Sequence, residues 1–412
     1  MHLSGEGIKP GGIGPVRQSI KHLVLFLAFI CFFPVKGKPG EILSPSTRIS
    51  ILTCGPGKPL YAAFGHTALY VNDPENGIDQ VFNFGTFDVN TPNFYMKFLT
   101  GRLKYALSVS DFETFINEYR AENRWVFEQD LLISPVEKQA LYDSLVLLMQ
   151  PENRYYIYDF FKKNCSTRAI DIVLAFSAGE ATVDSLKKPT GTTFRQALGT
   201  YIAGREWLQL GINMMLGPYA DQKMSKLQST YLPENLMHVV GLTPIAGAPE
   251  TIIASGYQPP ERKNPDLPTI IFWVFALMLV FEALWAKSSM AVTNRIDGVL
   301  FSIAGILGLF FIFLWIWSDH LSLHLNLNLF WANPLGLVLA WTITTGRKKT
   351  ARVIAVMYGL MVFFLLINWS RLPQQIPLEL MPLVTILAFR AINRIFNFKK
   401  QHRTIPSNPV SQ

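Results

Sequence analysis

The spacing of hydrophobic positions divides this chain into two stretches. From about residue 40 to 260 they recur with strand or helix periods among polar residues, and from Pro268 to Phe389 they fuse into long apolar runs. Arg48–Cys54 is apolar enough for a strand and runs into the turn Gly55-Pro56-Gly57. His66–Asn72 alternates, setting His66, Ala68 and Tyr70 on one face and Thr67, Leu69 and Val71 on the other. After the turn residues of 73–77, Gln80–Gly85 predicts an antiparallel return strand. Asp111–Tyr119 reads as a helix. Ser134, Pro135 and Glu137 predict a capped helix to about Met149, stopping before Pro151. Asn164 fits an N-cap that makes Cys165 the first residue of a helix to about Phe176, with Ile170, Val173 and Leu174 as its buried stripe. Residues 180–250 read as mostly helical, broken by Gly and Pro.

The apolar region predicts membrane helices at roughly 268–286, 298–317, 329–345, 351–370 and 377–395, the last the weakest. Basic residues mark the cytoplasmic loops: Lys287 with Arg295, Arg347-Lys348-Lys349 with Arg352, and the C-terminal tail. The loops at Asp319–Asn328 and around Arg371 then face outward. At the other end, Lys9, Arg17 and Lys21 precede the apolar run His22–Phe33. That run is short for a span and reads as a secretory signal, with an uncleaved anchor as the alternative; either exports the following domain. The expected divisions are a signal or anchor (1–39), an exported domain (40–262), a transmembrane domain (263–397) and a cytoplasmic basic tail (398–412).

Composition agrees with a membrane protein: half the residues are hydrophobic, 13% aromatic and only 16% charged. The net charge of +8 is accounted for largely by clusters beside the spans, so no nucleic acid is implied. Of three cysteines, Cys31 falls in the signal, leaving Cys54 and Cys165 in the exported domain. A disulfide between them is one reading. A reactive Cys165 is the other, because a thiol at a helix start meets free N–H groups and the positive end of the dipole. A nearby His66 imidazole would make a nucleophilic pair. Spacing alone leaves an inert cysteine and a structural histidine equally open.

A histidine early in a strand, followed about a hundred residues later by Asn-Cys at a helix start, resembles the permuted papain-like superfamily. Lecithin:retinol acyltransferase and cell-wall peptidases are related to that group. More closely, the strings around Thr53–Gly57, Phe64–His66, Phe82–Asp88, Pro151–Arg154 and Asp159–Arg168 resemble the Bacteroidetes-type lipoprotein N-acyltransferase, over both the exported and membrane parts. The resemblance implies an α+β, papain-like exported domain followed by a helical bundle of about five spans. It also implies Cys165 as nucleophile and His66 as base. Relatives often orient the base with a second histidine on the neighbouring strand; this chain has none there, and Asn83 takes its place, with Asp88 behind it.

Further candidates are Arg168, to bind a phosphate or acidic side chain, and Tyr61, to donate to an oxyanion. Cys54 and Arg124 lie in the same strings, as suited to structure as to function. In the outward loop, His320, Asn326 and Asn328, with His324, alternate with apolar residues where a headgroup or lipoprotein terminus would lie. An ordinary interfacial loop is the plain alternative, and the two histidines with Asp319 match no standard metal spacing. Glu282, near the inner end of the first span, is expected to pair with Lys287 and Arg295 at the interface.

The expected activity is transfer of an acyl chain from a membrane phospholipid, through a Cys165 thioester, to the N-terminal amine of a diacylglyceryl lipoprotein. It would occur on the periplasmic side of a bacterial inner membrane, without metal or soluble cofactor. The alternatives are a membrane-anchored cysteine peptidase or amidase, and a non-enzymatic lipoprotein-binding protein with Cys54 and Cys165 bridged.

Overall fold

The computed structural model describes residues 41–397, apart from 178, 255–256, 258–260, 262–265 and 285–288. The signal segment, Cys31, Lys287 and the basic tail lie outside the described residues. The described residues from 42 to 397 belong to one compact unit.

The described residues form nine strands: β1 Arg48–Cys54, β2 His66–Asp73, β3 Ile78–Thr86, β4 Lys104–Ser110, β5 Val126–Asp130, β6 Tyr155–Ile157, β7 Pro189–Thr193, β8 Lys223–Ser225 and β9 Glu250–Ile253. Seven of them make one antiparallel sheet in the order β6-β4-β3-β2-β1-β5-β9. The helices that matter here are α1 Phe94–Leu99, α2 Phe112–Ala121, α3 Pro135–Leu148, α4 Cys165–Ser177 and α5 Glu206–Met215. The strands β1, β2 and β3, the antiparallel pairing of β2 with β3 and the helices after Asp111, Ser134 and Asn164 follow the sequence reading. Ser134 and Glu137 close a reciprocal capping box.

The period-two pattern of β1–β3 feeds both faces of the sheet. Ile49, Ile51, Leu69, Val71 and Phe82 pack under α3 and α4, against Leu141, Tyr142, Ile170 and Val173. Leu52, Ala68 and Val81 pack under α2, against Phe115 and Ile116. Each such buried side chain contributes about 1.5–3 kcal/mol by leaving water, so both faces are held firmly in register.

The membrane part contains α6 Leu267–Leu284, α7 Met290–Trp317, α8 Leu335–Thr344, α9 Lys348–Asn368 and α10 Met381–Asn397. Among the described residues, four segments are long and apolar enough to cross a membrane: α6, α7, Leu321–Thr344 and α9. The fifth helix, α10, has 17 residues and buries Val384, Leu387 and Ala391 in the same core. Leu277, Ile306 and Leu360 point outward, as lipid-facing side chains do. Glu282 pairs with Arg390 of α10, which also reaches Asp297, while Arg394 binds Asp297. The carboxylates of α6 and α7 thus meet two arginines distant in sequence inside the bundle; the expected partner Lys287 lies outside the described residues.

The outward loop after α7 joins the two parts. Asp159 Oδ2 lies 3.0 Å from His320 Nδ1, and the Phe98 carbonyl lies 3.0 Å from Nε2. Both partners only accept, so both ring nitrogens donate and His320 is an imidazolium. Gly217 donates to the Ser322 carbonyl at 2.7 Å, and a Cβ on Gly217 would stand 2.1 Å from the His324 carbonyl oxygen. Only glycine permits that approach. Gln374, from the next outward loop, donates to Leu216 and Asn326. Both loops assigned outward by charge therefore meet the sheet domain.

Burial depresses His320, but Asp159 outweighs it and the net shift is upward. Burial raises Asp159, but His320 and two backbone N–H groups outweigh it and the net shift is downward. The raised histidine stabilises below its ordinary pKa of about 6.5, and this is lost as pH rises through its folded value. The lowered carboxylate stabilises above about 3.9, and this is lost on acidification. The melting-temperature gap between wild type and His320→Gln in detergent is therefore expected to be widest between about pH 4 and 6.5, and to narrow above neutrality. A gap independent of pH from 5 to 8.5 would contradict this assignment.

Candidate active site

Cys165 begins α4 because Asn164 caps it: Asn164 Oδ1 accepts from the Thr167 N–H at 2.9 Å, and Thr167 Oγ1 accepts from the Asn164 N–H at 2.8 Å. Asn164 Nδ2 also donates to the Phe160 and Tyr231 carbonyls, so the cap is tied to neighbouring chain on both sides. The helix is docked on β2 by a buried contact of 2.8 Å between Ser166 Oγ and Thr67 Oγ1. This places the thiol beside the start of β2, where His66 stands.

Asn83 Oδ1 lies 2.8 Å from His66 Nε2 and also accepts from the Gly85 N–H at 2.7 Å. The backbone N–H can only donate, which identifies the Asn83 atom as oxygen. His66 Nε2 must then carry a proton. In the neutral ring Nδ1 is then the basic nitrogen, the one left to take a proton from the thiol. A Cβ on Gly85 would lie 2.5 Å from His66 Cε1 and 3.2 Å from Nδ1, so the ring lies against bare backbone.

Burial pushes the Cys165 thiol up. The charge and hydrogen bond of His66, then the Thr67 N–H and the Ser166 hydroxyl, outweigh it and bring the thiol down to about 7. Cys54 is the opposite case: burial pushes it up to about 12, against the weaker pull of Arg124. Both cysteines are free. One is poised as a thiolate and the other is held as an inert thiol.

The other expected residues are placed as follows. Asp88 is exposed and accepts from the Asn90 N–H, so it does not stand behind Asn83. Tyr61 is 67% exposed, with Glu122 and Arg124 as its charged neighbours, and is not positioned as the thiol's partner. Arg124 is structural: it donates to the Gly55 carbonyl, pairs with Glu122 and covers the Tyr119 ring. Arg168 lies over the rings of Tyr156 and Phe84, and its Nε is buried without a hydrogen-bond partner.

His320, Asn326 and Asn328 are buried, with their polar groups spent on protein. Asn326 and Asn328 donate to the Met214 carbonyl at the end of α5, Asn326 Oδ1 accepts from Asn328 and Gln374, and Asn328 Oδ1 accepts from Trp331. They are struts of the seam, not substrate contacts. The aromatic surroundings of the thiol were not singled out from sequence. Tyr105, Tyr156 and Tyr158 form one ring cluster, Tyr105 lying 4.2 Å from Tyr158 and 6.2 Å from Tyr156, and Tyr156 packs with Cys165 against the same core. All three hydroxyls are raised, by burial first. For Tyr156 and Tyr158 the signal was the aromatic density of the segment before Asn164.

Two family models match the chain: the Lnb N-terminal periplasmic domain over residues 41–198, and the Lnb transmembrane domain over residues 261–402. The chain belongs to the Lnb family. In this Lnb-family protein the sheet domain is periplasmic, and the apolar helices form the membrane domain. The segment between the two models, 199–260, carries α5 and the Gly217 side of the seam. No curated protein and no solved structure matches the chain.

Iodoacetamide labelling of Cys165, followed by peptide mass spectrometry, is expected to show a midpoint near pH 7. In His66→Ala, only the smaller pulls of the Thr67 N–H and the Ser166 hydroxyl oppose burial, and the midpoint should rise to the ordinary thiol value of about 8.5 or beyond. Gly85→Ala displaces the imidazole and should move the midpoint the same way. Unchanged profiles in both variants would separate the thiol from His66.

Proposed function

We propose that this Lnb-family protein transfers an acyl chain from a phospholipid to the N-terminal amine of a diacylglyceryl lipoprotein, at the periplasmic face of a bacterial inner membrane. The observation that carries this reading is the Cys165–His66–Asn83 arrangement, in a periplasmic domain fastened to a membrane bundle.

In the first half-reaction the Cys165 thiolate attacks an ester carbonyl. The C–S bond forms, the ester C–O bond breaks, and His66 Nδ1 gives its proton to the departing lysophospholipid oxygen. The oxyanion is served by the first-turn N–H groups of Cys165 and Ser166, which α4 does not consume itself. In the second half-reaction the amine attacks the thioester and His66 takes its proton. The amide forms and the thiolate leaves. No metal or soluble cofactor enters either step. Asn83 acts through His66, holding the ring with Nδ1 toward the sulfur, and is a positioning residue.

A cysteine peptidase or amidase would use the same pair with water as the second nucleophile. The aromatic surroundings of Cys165 favour transfer, because a thioester sheltered by Tyr105, Tyr156 and Tyr158 is protected from hydrolysis. The inert Cys54 likewise argues against a purely binding protein with a bridged pair.

Full-length protein incubated with phospholipid vesicles and no acceptor is expected to gain one hydroxylamine-labile acyl group on Cys165. A diacylated lipopeptide should then discharge it as an amide. Cys165→Ala should lower N-acylation by at least about a thousandfold, as loss of a nucleophile does. Unchanged N-acylation in that variant would overturn the reading, and release of free fatty acid in place of the amide would favour the hydrolase.

A further inference from the structure

Helix α1 takes no part in the chemistry above, yet its position is fixed by the membrane domain. The carbonyls at its C-terminal end, Phe98, Leu99 and Thr100, accept from His320 Nε2, Ser318 Oγ and the Asp319 N–H at 3.0, 2.9 and 3.0 Å. Those donors directly follow Trp317, the last residue of α7. At 28 residues α7 is about 42 Å long, more than the roughly 30 Å of a hydrocarbon core. Its outer end, with Trp315 and Trp317 exposed, therefore lies at the lipid–water boundary. Three hydrogen bonds hold α1 at that level.

The surface α1 presents there is apolar and unpartnered. Tyr95 is 81% exposed and Met96 51%, and the adjoining edge strand β6 exposes Tyr155 and Ile157. Lys97, Arg102 and Lys104 lie among them. Aromatic and apolar side chains flanked by cations are the composition of an interfacial membrane contact. Behind this surface the rings continue inward. Phe98 stacks on Tyr158 at 6.1 Å and Tyr158 on Tyr105 at 4.2 Å, while Phe94 reaches Tyr105 through Phe87. Tyr105 pairs across the sheet with Tyr156, their rings 6.2 Å apart, and Tyr156 packs with Cys165 against the same core.

We propose that α1 and the β6 edge dip into the outer leaflet of the bilayer crossed by α7, forming the lip over which a phospholipid ester passes along the aromatic wall to Cys165. The membrane contact follows from the position of α1; the passage of an ester rests on the acyl-transfer reading above.

The test uses the full chain in vesicles of phosphatidylethanolamine and phosphatidylglycerol. A nitrobenzoxadiazole label is placed at Tyr95→Cys, with Cys31→Ser and Cys165→Ser removing competing thiols. Spin-labelled lipids near the headgroup are expected to quench it at least threefold more than the same label at Glu75→Cys, in the β2–β3 turn at the opposite end of the sheet. Equal quenching at the two positions would overturn the proposal. So would a Tyr95 label shielded from water but not quenched by lipid, since a second protein copy would then cover the face.

In the chain with Cys165 intact, the double variant Tyr95→Glu, Met96→Glu should load acyl from vesicles at least tenfold more slowly. Equal loading would overturn the role in entry. Strong quenching with no acyl loading of the wild type would support the membrane contact and overturn the reaction.

Discussion

The carboxamide oxygen of Asn83 accepts from the Gly85 N–H and from His66 Nε2 at once, and the character of the site depends on that sharing. Because a backbone amide cannot accept, the pair of contacts sets the amide orientation, then the tautomer of the ring, then which nitrogen meets sulfur. A carboxylate in place of Asn83 would hold the ring more strongly charged. The neutral amide orients the ring without adding a fixed negative charge beside the developing thiolate. The irregularity of the β3–β4 pairing between Asn83 and Thr86 belongs to the same device, since it frees the strand to turn its amide oxygen toward its own Gly85 N–H.

The second constraint is the seam that ties this site to the membrane. Asp159 lies six residues before Cys165. Its Oδ1 accepts from the N–H groups of Phe161 and Lys162, shaping the turn that delivers the helix begun by Cys165. Its other oxygen is taken by His320 from the membrane domain. An apolar cluster joins the same two parts, with Phe161, Phe194 and Leu216 packed against Leu314 and Leu323. The loop that presents the thiol and the loop that ends α7 are therefore one packed body.

Much of this was legible in the sequence where the signal is local. The period-two alternation of His66–Asn72, the capping set at Ser134 and the Asn164 cap before Cys165 depend on neighbours a few residues apart, and each specified its element. The strand pairing that followed brought Asn83 to His66. What was not legible depends on contacts distant in sequence. His320, Asn326 and Asn328 look like free polar groups on an interfacial loop until α5 and the Asp159 turn, more than a hundred residues away, consume their hydrogen bonds. Glu282 finds Arg390 for the same reason. Tyr61 reads as a donor by its place in a motif string, but the 3₁₀ turn of Leu60–Ala62 leaves it exposed with Glu122 and Arg124 as its charged neighbours, and the ring that packs on the same core as the thiol, Tyr156, comes from β6.

The seam also bears on how a water-facing domain can act on a lipid. Lifting a chain of about fourteen methylenes out of the bilayer costs roughly 11 kcal/mol at about 0.8 kcal/mol each, and a phospholipid has two such chains. Few binding sites recover that, so a chemistry that uses membrane esters is favoured when the reactive group meets the ester carbonyl at the depth where it already lies. Fixing the domain to the end of α7 sets that depth once, through covalent connection and buried hydrogen bonds rather than through affinity for lipid. Under the proposed acyl transfer, a thiol brought down to about 7 would meet that carbonyl as a thiolate, without first having to give up a proton to water.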